Sequence, residues 1–426
     1  MNSNWNAYIT RLKKDVVPAL GCTEPMSVAL AAANCRQLLG QLPERMDVWV
    51  SGNLFKNGMG VGVPGTGMTG LSVAAAIGAV GGDPSGGLEV LATITAEQVD
   101  KSKTMLERIH VDVKDVADVL YAEVIAYVGD QQAKVVICSD HTRIVLKELN
   151  GQIMLDQAEG EIDTQLAHPI DESPMTLTKV IDFALNVPLA DIDFMTQAGV
   201  LNKALAVEGL NGYGLRIGKM MTEQVDKKLL SDDLMTLAMR LSSAASDARM
   251  DGAMLPAMSN SGSGNQGIAA TMPVVAAAQF LGKDDETLTR ALTMSHLIAI
   301  YIKTYQNKLS ALCAASTAAM GSGAAITWML GGSVEQMAAC ISNMIGDVAG
   351  IICDGAGSAC SMKVSTSTSV AVKAALMAVN NYGVSDNEGI VTANIDKTIA
   401  NLGHLTKHGM LDTDIEIINI MRSKHA

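Results

Sequence analysis

The segment IICDGAGSACS, near the end of the chain, has the residue types from which a metal centre can be built. Cys353 and Cys360 flank a loop of small residues and Asp354, and a third cysteine, Cys313, precedes them in ALCAAS. Thiolates select zinc, copper and iron–sulfur clusters, and Gly355 would let backbone N–H groups approach cluster sulfurs. The spacing matches neither the ferredoxin patterns nor a zinc ribbon. By spacing alone, a metal site and a pair of structural cysteines are equally good interpretations.

Three thiolates on a four-iron cluster would leave one iron without a protein ligand. Such an iron is a Lewis acid with an open coordination position, which suits catalysis better than electron transfer. An amino acid could bind it through its carboxylate and its β-substituent. Coordination would make the α-proton more acidic and the β-substituent a better leaving group.

A fourth cysteine, Cys22, lies in the motif GCTEP, before an apolar helical run. We expect Thr23 to cap this helix, with Pro25 in its first turn. A thiol at a helix N-terminus has a lowered pKa, so Cys22 is a candidate base or nucleophile. The alternative is an inert cysteine that precedes a helix.

The run MSNSGSGNQGI, residues 258–268, places polar residues in an apolar neighbourhood. Successive backbone N–H groups in such a loop form an anion-binding nest, and an amino-acid carboxylate is a suitable guest. The candidate ligands are Asn260, Ser261, Gly262, Ser263, Gly264 and Asn265. The alternative is a polar turn between helices, whose buried amides would all need partners.

The glycine-rich segment SGNLFKNGMGVGVPGTG, residues 51–67, adds Asn53 and Lys56 as candidate substrate ligands. It lacks the Gly-Lys-Ser/Thr ending of a P-loop and the glycine spacing of a dinucleotide site. The alternative for Lys56 is a solvated turn residue. We interpret Cys35, Cys138 and Cys340 as small buried hydrophobic residues.

The elements that must position these residues change character along the chain. Residues 4–40 have a helical pattern with a break at 18–25. The following short β-branched runs predict strands: MDVWVSG, LEVLATIT, RIHVDVK, AEVIAYVG, AKVVICS, TRIVLKE and QIMLDQ. Gly129-Asp130 and Asn150-Gly151 predict hairpin turns, and a Gly/Ala helix is predicted near 66–81.

After residue 163 only helical patterns follow, and strands segregated from helices predict an α+β fold. We expect a helical segment at 1–44, a β-rich α/β unit at 45–160 and a large, mostly α-helical domain at 161–426. Two stretches without charge, 252–282 and 309–334, contain prolines or many Ser and Thr residues. We therefore expect buried helices there and no membrane span.

The composition limits how the core can be packed and which kinds of molecule the protein can bind. Aromatic residues make up 3% of the 426 residues, against 26 Met and 39 Gly, so the core must be packed by Met, Ala and Gly. A net charge of −13 without a Lys/Arg stripe argues against nucleic acid as the main partner. The N-terminal residues lack the apolar region of a signal peptide, so we expect a cytoplasmic protein. Seven cysteines there favour metal binding or catalysis over disulfides.

Together, PALGCTEP, SGNLFKNGMGVGVPGTG, MSNSGSGNQGI and GIICDGAGSAC resemble the L-cysteine desulfidase family, in the same order, from residue 18 to about 370. That family is similar in its helical half to the α-chain of iron–sulfur L-serine dehydratases. The resemblance implies a lyase with one oxygen-sensitive 4Fe–4S cluster per chain and no pyridoxal phosphate, which converts L-cysteine to pyruvate, ammonia and hydrogen sulfide. It implies cluster ligands at Cys313, Cys353 and Cys360 and a proton acceptor at Cys22. In an alternative assignment Cys22 is a cluster ligand.

One departure from the serine dehydratases bears on the substrate. They have a longer spacing between their last two cysteines, and Asp-Pro where this chain has Asp354-Gly355, which favours cysteine over serine. The alternatives are L-serine dehydration, a zinc-bound or metal-free protein that binds an amino acid, and a structural role. We expect a small amino-acid substrate and a homo-oligomer.

Overall fold

The computed structural model describes residues 3–157, 175–306 and 310–424. A six-stranded sheet lies in the N-terminal part and a large group of packed helices follows it, which confirms the α+β class. The strands are β1 (Pro18–Leu20), β2 (Arg45–Val50), β3 (Gly62–Val63), β4 (Met68–Thr69), β5 (Ile109–Val113), β6 (Tyr121–Val128), β7 (Gln131–Cys138), β8 (Ile144–Leu149), β9 (Gln152–Asp156) and β10 (Pro256–Met258).

Seventeen α-helices are found in the described residues. In the N-terminal part they are α1 (Ser3–Asp15), α2 (Thr23–Leu39), α3 (Gly52–Gly58), α4 (Leu71–Gly81) and α5 (Ala96–Lys103). The rest are α6 (Leu177–Asn186), α7 (Leu189–Ile192), α8 (Thr196–Gly209), α9 (Ile217–Asp226), α10 (Leu234–Met250), α11 (Gly264–Leu281), α12 (Asp285–Thr304), α13 (Ala314–Met329), α14 (Val334–Val348), α15 (Cys360–Val379), α16 (Ile395–His404) and α17 (Leu411–Ser423).

The sheet has the order β5-β2-β6-β7-β8-β9, in which only the β2–β5 pair is parallel. Gly129-Asp130 joins β6 to β7 and Asn150-Gly151 joins β8 to β9, so both predicted hairpin turns are confirmed. Central residues such as Val48 and Val124 are paired and fully buried. Helix α2 packs on β6, β7 and α4, and these elements enclose one apolar core. We call residues 23–157 the sheet half.

The helical half, residues 175–410, is built around α10 to α13 and α15, which pack closely on one another. Helices α11 and α13 are buried along most of their length, as predicted for the two charge-free stretches. Their buried surfaces consist mainly of Ala, Val, Met and small polar residues, so close helix packing replaces aromatic filling. Within the described residues, none of the helices combines the length and apolarity needed to span a bilayer.

The N-terminal residues connect the two halves. Helix α1 belongs to the core of the helical half, where the Tyr8 and Phe183 ring centroids are 5.3 Å apart. Strand β1 then pairs antiparallel with β10, and α2 enters the core of the sheet half. The boundary predicted near 160 falls in residues 158–174, outside the described part of the chain. The proposed division into three domains therefore stays a prediction.

Three local predictions differ from the structure. The run LEVLATIT, residues 88–95, contains no strand but a short 3-10 helix at Gly87–Glu89 and turns. Its last residue, Thr95, begins a capping box with Gln98 that starts α5, so local capping prevails over β-propensity. Strand β10 lies in a part of the chain where only helices were expected. The predicted helix at 66–81 begins at Leu71, after the small β3–β4 hairpin.

Candidate active site

Cys313 and Cys353 are brought together by a short stretch of paired backbone. The N–H of Cys313 donates to the carbonyl of Ile351 at 2.9 Å, and the N–H of Cys353 donates to the carbonyl of Ala311 at 2.7 Å. Because the two segments run antiparallel, both side chains lie on the same face of this pair. Cys313 is also the residue at which α13 begins.

The loop from Cys353 to Cys360 lies against α3 of the sheet half. Gly355 has φ +114°, and a Cβ at this position would be 2.7 Å from the Lys56 carbonyl oxygen. Only glycine fits this close approach without strain. Gly357 pairs with Gly60, and Cys360, whose N–H donates to Gly357 at 2.9 Å, opens α15.

Cys22, the residue immediately before the sheet half, joins these thiols. It lies in a small apolar cluster with Val61 and Met250, against which Cys360 packs. The Cys22 Sγ is 3.8 Å from the Met250 Sδ. Burial raises the pKa of Cys360 to about 12, and Cys353, Cys313 and Cys22 add to that rise, so the four thiols are electrostatic neighbours. The structure thus places the four cysteines in one region between the halves, with Cys22 beside Cys360 and Cys313 beside Cys353, and their roles as ligands and base stay predictions.

Three lysines surround the thiols. Lys56 and Lys363 oppose the rise that burial causes in the pKa of Cys353. Burial lowers the pKa of Lys303 to about 8, and Cys353 and Cys313 oppose that shift. Thiolate-bound iron–sulfur clusters are anionic, so these ammonium groups would offset the charge of such a group.

The donor set can be compared with what different metals require. Among the described residues, no three His, Cys, Asp or Glu side chains gather around a point that could hold a single metal ion. Thiolates are the usual ligands of iron–sulfur clusters and also bind zinc, so the chemistry of the three cysteines fits a cluster.

The predicted lowering of the Cys22 pKa is wrong. Burial raises the pKa of Cys22 to about 11, and Glu24 adds to the rise, while the neighbouring Arg249 guanidinium opposes it. Desolvation of the thiolate therefore exceeds the effect of the helix N-terminus. Cys22 itself, and not Thr23, occupies the position before α2, and its side chain makes no capping hydrogen bond.

The loop at 258–266 contacts the sheet half next to Cys22. The Thr23 hydroxyl donates to the Gly262 carbonyl at 3.1 Å, and the His141 ring lies beside Gly262. The Asn260 amide group donates to the Nδ1 and the carbonyl oxygen of His296, both at 3.1 Å. These contacts fix the loop beside Cys22, and its role as a substrate site stays a prediction.

The end of this loop forms the start of α11. The Ser263 hydroxyl accepts the Gln266 N–H and caps the helix, and Ser261 adopts φ +50°. The Asn265 side chain accepts a hydrogen bond from Ser246 at 3.1 Å and is directed at the Met250 Sδ, 3.2 Å away. Because Met250 also contacts Cys22, this end of the loop faces the thiols.

Asn53 and Lys56 have protein partners in the structure. Lys56 is fully buried, so the alternative of a solvated turn residue is wrong. Its ammonium donates to Asp414 of α17 and, at 3.0 Å, to the Cys353 carbonyl. The Asn53 amide donates to the other Asp414 oxygen at 3.4 Å. The two side chains hold α17 against α3, and nothing in this arrangement favours them as substrate ligands.

Sequence reasoning missed Arg249, the penultimate residue of α10. Its side chain is buried beside Cys22 and Met250, at 5% exposure. The only signal in the sequence is its position near the charge-free stretch that begins at Gly252, from which Met250 and Asp251 separate it. That signal does not distinguish a buried arginine from an ordinary one at the helix C-terminus.

An α+β fold with four thiols between its halves is the class that these observations define. The chain belongs to the serine dehydratase family: the family model described as serine dehydratase alpha chain matches residues 85–419. The matched range begins in the sheet half and includes Arg249, Cys313, Cys353 and Cys360. Cys22 precedes it.

Full-length relatives are found among bacterial proteins named UPF0597. The one from Aeromonas hydrophila is 71% identical over 424 residues, which cover 100% of this chain and 98% of the relative. The one from Aeromonas salmonicida is 72% identical over 425 residues, with the same coverage. The one from Shewanella pealeana is 54% identical over 430 residues, covering 99% of both chains.

Proposed function

We propose that this protein is an iron–sulfur lyase that eliminates sulfide from L-cysteine, giving pyruvate, ammonia and hydrogen sulfide. The observation that carries the proposal is the meeting of Cys22 with Cys313, Cys353 and Cys360 at the boundary of the two halves. Membership of the serine dehydratase alpha chain family supports the reaction class, because loss of a β-substituent is common to both reactions.

Cys313, Cys353 and Cys360 would hold a 4Fe–4S cluster, with Lys56, Lys303 and Lys363 offsetting its charge. When bound, the cluster would supply a Lewis acid that polarises the β-substituent of the substrate. Pyridoxal phosphate has no role in this proposal.

The chain's own residues would bind the substrate and move its proton. The loop at 258–266 would hold the amino acid beside Cys22, whose Sγ would take the α-proton. Loss of sulfide leaves aminoacrylate, which tautomerises and is hydrolysed to pyruvate and ammonia in water. Cys22 must act as the thiolate, and the positive ammonium of the substrate would favour that form. Activity should therefore rise with pH above neutrality, towards the raised pKa of this thiol.

L-serine dehydration is the second candidate, favoured by the description of the matching family. The geometry at Gly355 distinguishes this chain from the serine enzymes. Proline fixes φ near −65°, so the Asp-Pro pair of the serine enzymes cannot occupy the φ of +114° that Gly355 adopts. The loop from Cys353 to Cys360 must therefore differ from theirs in shape.

The test is anaerobic. The protein is purified, reconstituted with iron and sulfide, and assayed for iron content and for hydrogen sulfide and pyruvate from L-cysteine. About four irons per chain with equal amounts of both products are the expected result. Pyruvate from serine without turnover of cysteine would establish the second candidate. A colourless protein that binds zinc and turns over neither amino acid would refute the lyase.

Matched cysteine variants assign the ligands. Replacement of Cys313, Cys353 or Cys360 by Ala should abolish iron retention. Cys340, fully buried within the helical half, provides the control, and Cys340→Ala should keep the iron. Oxygen sensitivity and seven free thiols suit the reducing cytoplasm, where we place the protein.

A further inference from the structure

Arg249 is a buried cation to which the described residues give no carboxylate partner. Its side chain is 5% exposed, and it forms no ion pair within the described part of the chain. Its Nη1 donates to the Met250 Sδ at 3.4 Å, and its guanidinium also interacts with the Cys22 thiol, whereas its Nε is buried there without any hydrogen-bond partner. Burying a charge in this way is strongly unfavourable unless something compensates it. No carboxylate of the described residues pairs with it, so a bound ligand can supply one.

The guanidinium lies against the N-terminal end of α11. A Cβ added to Gly264, the first residue of that helix, would be 2.1 Å from the Arg249 Nε. The N–H groups of Gly264 and Asn265 are among the first in an 18-residue helix, where no acceptor exists within the helix. Helix N–H groups and a guanidinium that converge on one place form a receptor for a small anion.

The same place is adjacent to Cys22. The Arg249 guanidinium is close enough to counteract the rise in the pKa of Cys22, and Met250 contacts both side chains. Cys22, Val61 and Met250 form the apolar neighbourhood. An anion held here would therefore be small, and the carbon atom bonded to the anionic group would lie next to the Cys22 thiol.

We propose that Arg249 and the first turn of α11 bind the α-carboxylate of the substrate. The assignment rests on the proposed lyase function and restricts the substrates to small free amino acids with an intact carboxylate. Planar guanidinium and planar carboxylate can pair through two parallel hydrogen bonds, which would also orient the Cα–H bond towards Cys22. Arg249 is then a substrate-binding residue, and Gly264 is required to leave space for it.

Calorimetry with two matched ligands tests the assignment on the reconstituted enzyme. L-alanine has the carboxylate and ammonium but no leaving group, and ethylamine lacks the carboxylate. Arg249→Met should weaken L-alanine binding about 100-fold or more, as expected for the loss of two charge-assisted hydrogen bonds. It should leave any ethylamine binding unchanged, and Arg249→Lys should fall between Met and wild type. Wild-type affinity of Arg249→Met for L-alanine would overturn the assignment, and so would the absence of L-alanine binding to the wild type.

Thermal melts separate binding from a structural role. Replacing a buried unpaired charge by an apolar residue is neutral or stabilising, so Arg249→Met should melt no lower than wild type. Arg36, whose guanidinium donates to the carbonyls of Ala79, Val80 and Gly82, is the control. Arg36→Met should melt lower and bind L-alanine normally. A strongly lowered melting temperature for Arg249→Met would show a structural arginine and contradict the proposal.

Gly264→Ala gives a second test that keeps the arginine. The added methyl group must displace the guanidinium, so L-alanine binding should fall at least 10-fold.

Failure of the lyase function is distinguishable from failure of this site. Turnover of L-cysteine with an unchanged KM in Arg249→Met refutes the carboxylate site alone. Arg249-dependent binding of L-alanine without turnover of cysteine or serine refutes the lyase alone.

Discussion

Lys56 and Asp414 join the last helix of the chain to the sheet half, and their single replacements should differ in cost. The Lys56 side chain is fully buried, whereas that of Asp414 is 15% exposed. Asp414→Asn leaves the Lys56 ammonium buried with the Cys353 carbonyl as its strongest remaining partner. Lys56→Met leaves a carboxylate that water can reach. The aspartate variant should therefore be the less stable of the two.

The magnitudes follow from the burial of each remaining charge. Breaking a buried ion pair by removing one partner costs about 3–5 kcal/mol, and Asp414→Asn should fall at the lower end of this range. Partial exposure should reduce the cost of Lys56→Met to about 1–2 kcal/mol. The double variant leaves no unpaired charge, so its cost should be well below the sum. Helix α17 contains no fully buried residue, so the loss should appear as local release of that helix.

Hydrogen-exchange mass spectrometry of peptides that cover residues 411–423 measures that release. A loss of about 3 kcal/mol should accelerate their exchange roughly 100-fold, and about 1.4 kcal/mol should accelerate it about 10-fold. Peptides of the central helices α11 and α13 provide the internal control and should not change. Equal acceleration by both single variants, or a slower exchange in Asp414→Asn than in Lys56→Met, would refute the reasoning from burial.

The remaining predictions concern cysteines and one glycine. Cys22→Ser should retain iron but lower kcat at least about 100-fold, as for loss of a general base; loss of iron in the assay would make Cys22 a cluster ligand instead. Gly355→Ala should lose iron and stability because of its φ of +114° and the contact with the Lys56 carbonyl, whereas Gly350→Ala, with open space around it, should not. Burial raises the pKa of Cys340 from 9.0 to about 12, so the folded thiol stays protonated where the unfolded thiol ionises. Stability should therefore fall between pH 9.0 and about 12, by up to about 1.4 kcal/mol per unit. The melting temperature of Cys340→Ala should therefore fall less than that of the wild type as the pH rises through this range.

Features that depend on neighbouring residues in the sequence could be predicted. The hairpins at Gly129-Asp130 and Asn150-Gly151 follow from turn residues between alternating strands. The β1–β10 pair could not be predicted in this way, because each strand has three residues and the partner lies far along the chain. Residues 88–95 show the limit of β-propensity, because the capping box at Thr95 starts a helix at the end of a β-branched run.

The residues of the candidate site also differ in whether their neighbours in the sequence single them out. The cysteine loop and GCTEP have unusual local composition, so their thiols could be singled out before their positions were known. Arg249 and Lys56 have ordinary neighbours in the sequence. Their importance lies in burial and in which partners they have or lack, and both properties are set by tertiary packing. Sequence patterns assign residue types to chemistry, while unpaired charges become visible only in three dimensions.

The distance along the chain between Cys22 and Cys360 sets the order of events during synthesis. At ~5–20 residues per second, the ribosome needs roughly 20 to 70 s to proceed from one to the other. The sheet half is complete long before then. Cys22, however, is buried partly by Met250 and by the loop before Cys360, and these residues have not all been made. Burial of the Cys22 thiol is therefore completed only once Cys360 has been made. Any group held by these cysteines must be inserted after nearly the whole chain has been synthesised, and a chain that stops before residue 360 lacks part of the packing around Cys22.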